Sequence, residues 1–164
     1  MSSPIDSTAN QELTDQERWR AVLCDAAKEV FAVMVGLELS APNQSDPPMV
    51  TNFTGMVGLA GDLCGLLTVR CSAASATTIA SHMLGGSHAE IAHHQSDAVG
   101  EISNMVAGSF KAKVEGLEDK CMLSVPTVVT GGDYEVHSLA VGQRIEVPLM
   151  LKDEPIWFTL EVRN

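Results

Sequence analysis

The apolar positions along the chain change period several times, and each change predicts an element. Thr14-Asp15-Gln16-Glu17 fits a capping box, a hydroxyl followed three residues later by a carboxylate, so a helix is expected to start near Asp15. Its apolar positions Trp19, Val22, Leu23, Ala26, Val30, Val33 and Met34 recur at helical spacing up to Gly36–Leu39. The polar residues 1–14 read as a loose tail, leaving 15–164 as one domain. After a proline-bearing loop, Thr51–Ala60 and Leu63–Cys71 are rich in β-branched and apolar residues around a Gly61-Asp62 turn, a hairpin pattern. Helical spacing returns in Ala73–Leu84 and stops at Gly85-Gly86. Ser87-His88-Ala89-Glu90 is a second capping box, and a helix follows to about Lys113, with or without a break near Gln95-Ser96. Met122–Val129, Gln143–Leu151 and Ile156–Val162 then read as strands. Helix, two strands, two helices and three strands predict an α+β fold, long helices on a mostly antiparallel sheet. The chain also falls into two loosely similar halves, each a long helix leading into strands.

With 164 residues, 45% hydrophobic and 19% charged, the composition is that of an ordinary globular protein. A formal charge of −11 argues against nucleic acid or anionic membrane as the main partner, since both require a basic footprint. It leaves room for a partner with a basic face. The opening residues lack a basic region followed by an apolar stretch, and no long uncharged apolar window occurs, so a cytoplasmic protein without a membrane span is expected. The four cysteines form no CxxC and are expected to be reduced, buried small hydrophobes.

The segment from Asp97 to Phe110 carries the chemistry. At about 100° per residue, Ala98, Ile102, Met105, Val106 and Phe110 share one helix face. Asp97, Glu101, Asn104, Gly108 and Lys111 share another. Glu101 and Asn104 stand three apart and are neighbours on that face. Two interior glycines, Gly100 and Gly108, each cost about 1 kcal/mol against alanine. A polar helix face is ordinarily just solvated, and a helix glycine often only permits close packing, so spacing alone does not separate function from structure. His82, His88, His93 and His94 crowd one stretch but fit no zinc spacing, and adjacent His93 and His94 point to different faces. Near Glu101 they offer a titratable neighbour around pH 6.5.

The pattern Asp97-x-x-x-Glu101-Ile102-x-Asn104-x-x-x-Gly108 resembles the signature of the CheC/CheX/FliY phosphatases, and its single copy resembles CheX. The first-helix segment Lys28–Leu37, the hairpin Gly55–Cys71 and the run Ala80–Gly85 are similar to that family as well, so the resemblance spans most of residues 15–164. It implies a CheC/CheX-like fold and hydrolysis of the aspartyl phosphate on a CheY-like response-regulator receiver domain. By the same resemblance Asn104 orients the attacking water and Glu101 docks to the regulator's lysine, with Asp97, Gly108 and Lys111 on the partner-binding face. No intrinsic cofactor is implied, the Mg²⁺ being carried by the regulator. The alternative is a non-catalytic adaptor that binds a receiver without accelerating its dephosphorylation. CheC-type members carry a second Glu-x-x-Asn on the first helix; here Glu29 is followed by Ala32, so one active site per chain is expected. The run His93-His94-Gln95-Ser96 is more basic and polar than in similar members, which bears on the choice of partner. The resemblance also implies a homodimer joined through sheets, for which Ile156–Val162, apolar and β-prone, offers an edge.

Overall fold

The computed structural model describes residues 7–137 and 142–163, with the backbone alone for residues 7–14 and His88. Helix α1 runs Ser7–Val30 and passes directly into a π-helical turn, Phe31–Val35, that ends at Gly36 in the left-handed region (φ 72°). The helix thus begins about two turns upstream of Thr14, and residues 7–14 are helical rather than a loose tail. No proline or glycine falls between Ser7 and Val35, and extending a nucleated helix costs little per residue. Strands β1 (Leu39–Ser40), β2 (Phe53–Gly61) and β3 (Gly65–Cys71) follow. Then come α2 (Ala73–Leu84), the single turn α3 (His88–Ile91) and α4 (Gln95–Lys113), the last break falling at residues 92–94. Half of the expected capping box forms: the Ser87 N–H and hydroxyl both donate to Glu90 Oε2 at 2.9 Å, while the Glu90 N–H goes to the Ser87 carbonyl rather than to its hydroxyl.

Strands β4 (Cys121–Leu123), β5 (Thr127–Thr130), β6 (Gly142–Leu151) and β7 (Glu154–Arg163) complete a seven-stranded antiparallel sheet of order β1-β6-β7-β3-β2-β4, with β5 also on β2. The run Met122–Val129 is therefore two strands, not one. Between the pairs Leu59–Leu123 and Met56–Thr127, Ser124, Val125 and Pro126 oppose only Val57 and Gly58, a bulge. Pro126 has no N–H to give the ladder. Ile156–Val162 is not an edge: β7 pairs with β6 on one side and β3 on the other. Its apolar character reflects a central position, with Ile156, Phe158 and Leu160 fully buried. The two halves are visible as hairpins β2–β3 and β6–β7, which meet antiparallel at β3 and β7 with Thr68 opposite Thr159.

The core lies between one sheet face and the helices. Strand residues of odd number on β3 (Leu67, Val69, Cys71) and of even number on β7 point into it, as a period of two requires. Phe31 meets Phe158 edge-on, ring centroids 6.0 Å apart, and so fastens the end of α1 to the middle of the sheet. On the opposite face the Arg70 guanidinium lies 5.4 Å from the Trp157 ring centre, and Arg144 bonds Glu146 and Glu161. Cys71 and Cys121 are buried as expected, whereas Cys64 is exposed and Cys24 half-buried; all four are free thiols.

Candidate functional site

Helix α4 is seated so that one stripe is locked and the other left open. Ala98, Ile102, Val106 and Phe110 are buried as the periodicity predicts, and Val99, Gly100, Ser103 and Ala107 widen that stripe. Met105 is only partly buried. At Gly55 on β2 an added Cβ would stand 2.0 Å from Ser103 Oγ, so a glycine is required there for α4 to lie this close to the sheet. Ser103 is held in turn by donating to the Val99 carbonyl at 2.7 Å. These contacts fix the rotation of α4 about its axis, and with it the direction of every residue on the outer stripe.

The two helix glycines separate here. A Cβ on Gly100 would meet Val128 Cγ2 at 3.2 Å, so Gly100 permits packing against β5. A Cβ on Gly108 would meet nothing within 4 Å. Packing within the chain therefore accounts for the first glycine and not for the second. Glu101 is exposed and Asn104 half-exposed, one turn apart on the stripe that faces away from the sheet. Among the described residues neither makes a side-chain hydrogen bond or ion pair with the rest of the chain. Asp97, exposed in the first turn of α4, faces His94 Nδ1 at 3.4 Å, and Lys111 lies half-buried toward the other end. The five residues Asp97, Glu101, Asn104, Gly108 and Lys111 thus form one continuous stripe.

The histidines do not gather around Glu101. His94 reaches Asp97 instead, His82 and His93 are exposed, and the side chain of His88 lies outside the described residues. Among the described residues no group of three or more His, Cys, Asp or Glu is placed to hold a metal ion.

On α1, Glu29 is not available as a second site. Lys113 Nζ approaches its Oε2 to 2.6 Å and Ser109 Oγ donates to the same oxygen at 3.3 Å. The hydrogen bond and charge of Lys113 hold the Glu29 carboxyl below its usual range. Beyond Glu29 the expected face is not buried: Val33 is 73% and Met34 41% exposed. The run Val30-Phe31-Ala32-Val33-Met34-Val35 is apolar throughout and cannot lie on one helical stripe. The π turn decides which part goes inside, giving the core to Phe31 and Val35. That uninterrupted run is the one signal in the sequence that marks the region, and it does not say which residues emerge.

The family description "Chemotaxis phosphatase CheX" matches residues 53–150, a span that holds the whole of the α4 stripe. This chain belongs to the CheX family of chemotaxis phosphatases. Among curated relatives, the CheY-P phosphatase CheX of Thermotoga maritima is 28% identical over 139 residues, covering 80% of this chain and 88% of that protein. The crystal structure of the chemotaxis protein CheX from Vibrio vulnificus has the same fold, with a TM-score of 0.72 and 23% identity over 88% of this chain and 96% of that one. So does CheX in the CheX–CheY–BeF₃–Mg²⁺ complex from Borrelia burgdorferi, with a TM-score of 0.71 and 20% identity over 89% and 98%. No helix among the described residues is long and apolar enough to cross a membrane.

Proposed function

We propose that this chain is a hydrolase that removes the phosphoryl group from the aspartyl phosphate of a CheY-like response-regulator receiver domain. The observation that carries the reading is the α4 face of a CheX-family protein on which Glu101 and Asn104 are oriented outward and make no hydrogen bond or ion pair within the described chain. The T. maritima relative is named a CheY-P phosphatase, and the B. burgdorferi CheX was solved with CheY.

In this reaction water attacks phosphorus, the bond from phosphorus to the aspartyl oxygen breaks, and inorganic phosphate and a free aspartate result. The carboxylate is a good leaving group and the transition state is loose, so positioning contributes more than covalent chemistry. Asn104 supplies that positioning. Its amide both donates and accepts without titrating, so it can hold a water in line with the phosphorus. Glu101 pairs with the regulator's active-site lysine, a contact that strengthens once docking removes water. Asp97, Gly108 and Lys111 extend the contact face. The Mg²⁺ belongs to the regulator in this reading, in keeping with the presence of Mg²⁺ and BeF₃ in the B. burgdorferi complex. The chain acts in the cytoplasm as a homodimer, and since β7 is internal, the edge offered for sheet joining is that of β6, which β1 covers among the described residues at Met150 and Leu151. Light scattering at micromolar concentration tests the dimer; a monomer mass would remove it.

The deciding experiment follows the decay of phosphoryl label on a CheY-type receiver with wild type, Glu101→Ala and Asn104→Ala. Wild type accelerates decay, and each substitution removes that acceleration by about 10²-fold or more. Since neither side chain has a partner within the described chain, both variants keep stability within about 0.5 kcal/mol. Binding without acceleration by wild type would overturn the enzymatic reading in favour of an adaptor.

A further inference from the structure

Val33 and Met34, turned outward by the π turn, form one wall of a groove of about 410 Å³ between the end of α1 and α4. Val30, Met105 and Leu123 provide the rest of its apolar lining. Asn104 and Gly108 stand on its rim, and the space above Gly108 is empty to 4 Å. Among the described residues nothing of this chain fills the groove. The carboxylate at its border, Glu29, is neutralised by Lys113, so an otherwise acidic protein presents an apolar, locally uncharged hollow here.

The groove is continuous with the face assigned to the receiver. Asn104 and Gly108 are about 6 Å apart along the helix axis. Even a transient protein interface covers up to about 600 Å² on each partner, so a receiver that places its phosphoryl group at Asn104 extends over the adjoining groove. Water would then be trapped against Val33 and Met34 unless the partner supplied apolar atoms. Methionine suits such a wall, because its unbranched, polarizable side chain adapts to what is placed against it.

We propose that this groove receives an apolar side chain of the phosphorylated receiver domain and thereby selects which receivers are dephosphorylated. This rests on the phosphatase reading above, and it assigns to Val33 and Met34 a role in affinity rather than in chemistry. The occupant is the receiver, not a second copy of this chain, because the groove shares its rim with Asn104.

The test is steady-state dephosphorylation of a CheY-type receiver by wild type, Val33→Ser/Met34→Ser and the conservative Val33→Leu/Met34→Leu. Thermal melting and light-scattering mass are measured on each. The serine variant is expected to lose about tenfold in kcat/KM through KM, with kcat, melting temperature and mass unchanged, and the leucine variant to stay within about twofold of wild type. Unchanged kcat/KM in the serine variant overturns the groove and leaves the phosphatase intact. A fall in kcat alone overturns it too, by moving the residues into the chemistry. A changed mass shows that a second copy occupies the groove and overturns the assignment. A wild type that accelerates no receiver overturns the phosphatase reading, and this occupant with it.

Discussion

Gly108→Ala separates what α4 needs for its own stability from what it needs for a partner. In a helix interior, alanine is favoured over glycine by about 1 kcal/mol, because the glycine backbone has more freedom to lose. At Gly108 nothing within 4 Å opposes the new methyl group, so the gain is realised almost in full. A stabilisation of about 0.5–1 kcal/mol raises the melting temperature by about 1–4 °C in a chain of this size. Gly100→Ala is the internal control. It has the same propensity gain, but its methyl group would press on Val128 Cγ2 at 3.2 Å, and moving Val128 offsets the gain to about zero. Activity is expected to go the other way. If the receiver's backbone comes into contact with α4 over Gly108, the methyl group holds it off and kcat/KM falls about tenfold, equivalent to ~1.4 kcal/mol of interface energy. Calorimetry and receiver dephosphorylation on the three proteins give the answer. A Gly108→Ala protein that is more stable and fully active would refute the contact, and one that is less stable would refute the open helix face itself.

Gly55→Ala should destabilise by about 1–3 kcal/mol and lower activity, since Ser103 Oγ lies where the methyl group would go; adding Ser103→Ala should restore part of both, as chemical denaturation and the decay assay would show. With a thiol reagent at pH 8, Cys64 should react in the native protein while Cys71 reacts only after unfolding. Burial pushes the Cys71 thiol up to about 12 from an ordinary 9.0, so its contribution to stability is complete below pH 9 and is lost as pH rises from there toward 12; a Cys71→Ala protein should show a shallower fall in melting temperature across that range. For Glu29 the sign is opposite. Its carboxyl is held low by Lys113, so the stabilisation is present above the ordinary carboxylate range and disappears as pH falls through the lowered value. A Lys113→Met protein should therefore melt lower than wild type at pH 7 and together with it in strong acid; equal melting temperatures at pH 7 would show that the exposed pair contributes nothing.

Periodicity alone placed Glu101 and Asn104 together on the outer stripe of a helix, because which residues share a face follows from rotation per residue and needs no knowledge of neighbours. Local rules also located α2 to its ends, the Glu90 carboxylate that accepts from the Ser87 N–H, and the long strands β2, β3, β6 and β7. They showed as well the grouping of helices and strands into separate runs that makes an α+β layout. What lies across from a residue is set by chain segments far away in sequence, and there the tertiary structure decided. Ile156–Val162 has the composition of a sticky edge, but it becomes the middle of the sheet once β3 and β6 both pair with it. Gly100 and Gly108 are indistinguishable on the helix; only Val128 and Pro126 opposite the first, and empty space opposite the second, tell them apart. The apolar run from Val30 to Val35 exceeds what one helical stripe can bury. Its outcome was fixed by Phe31 meeting Phe158 in the sheet, which left Val33 and Met34 facing the groove beside Asn104.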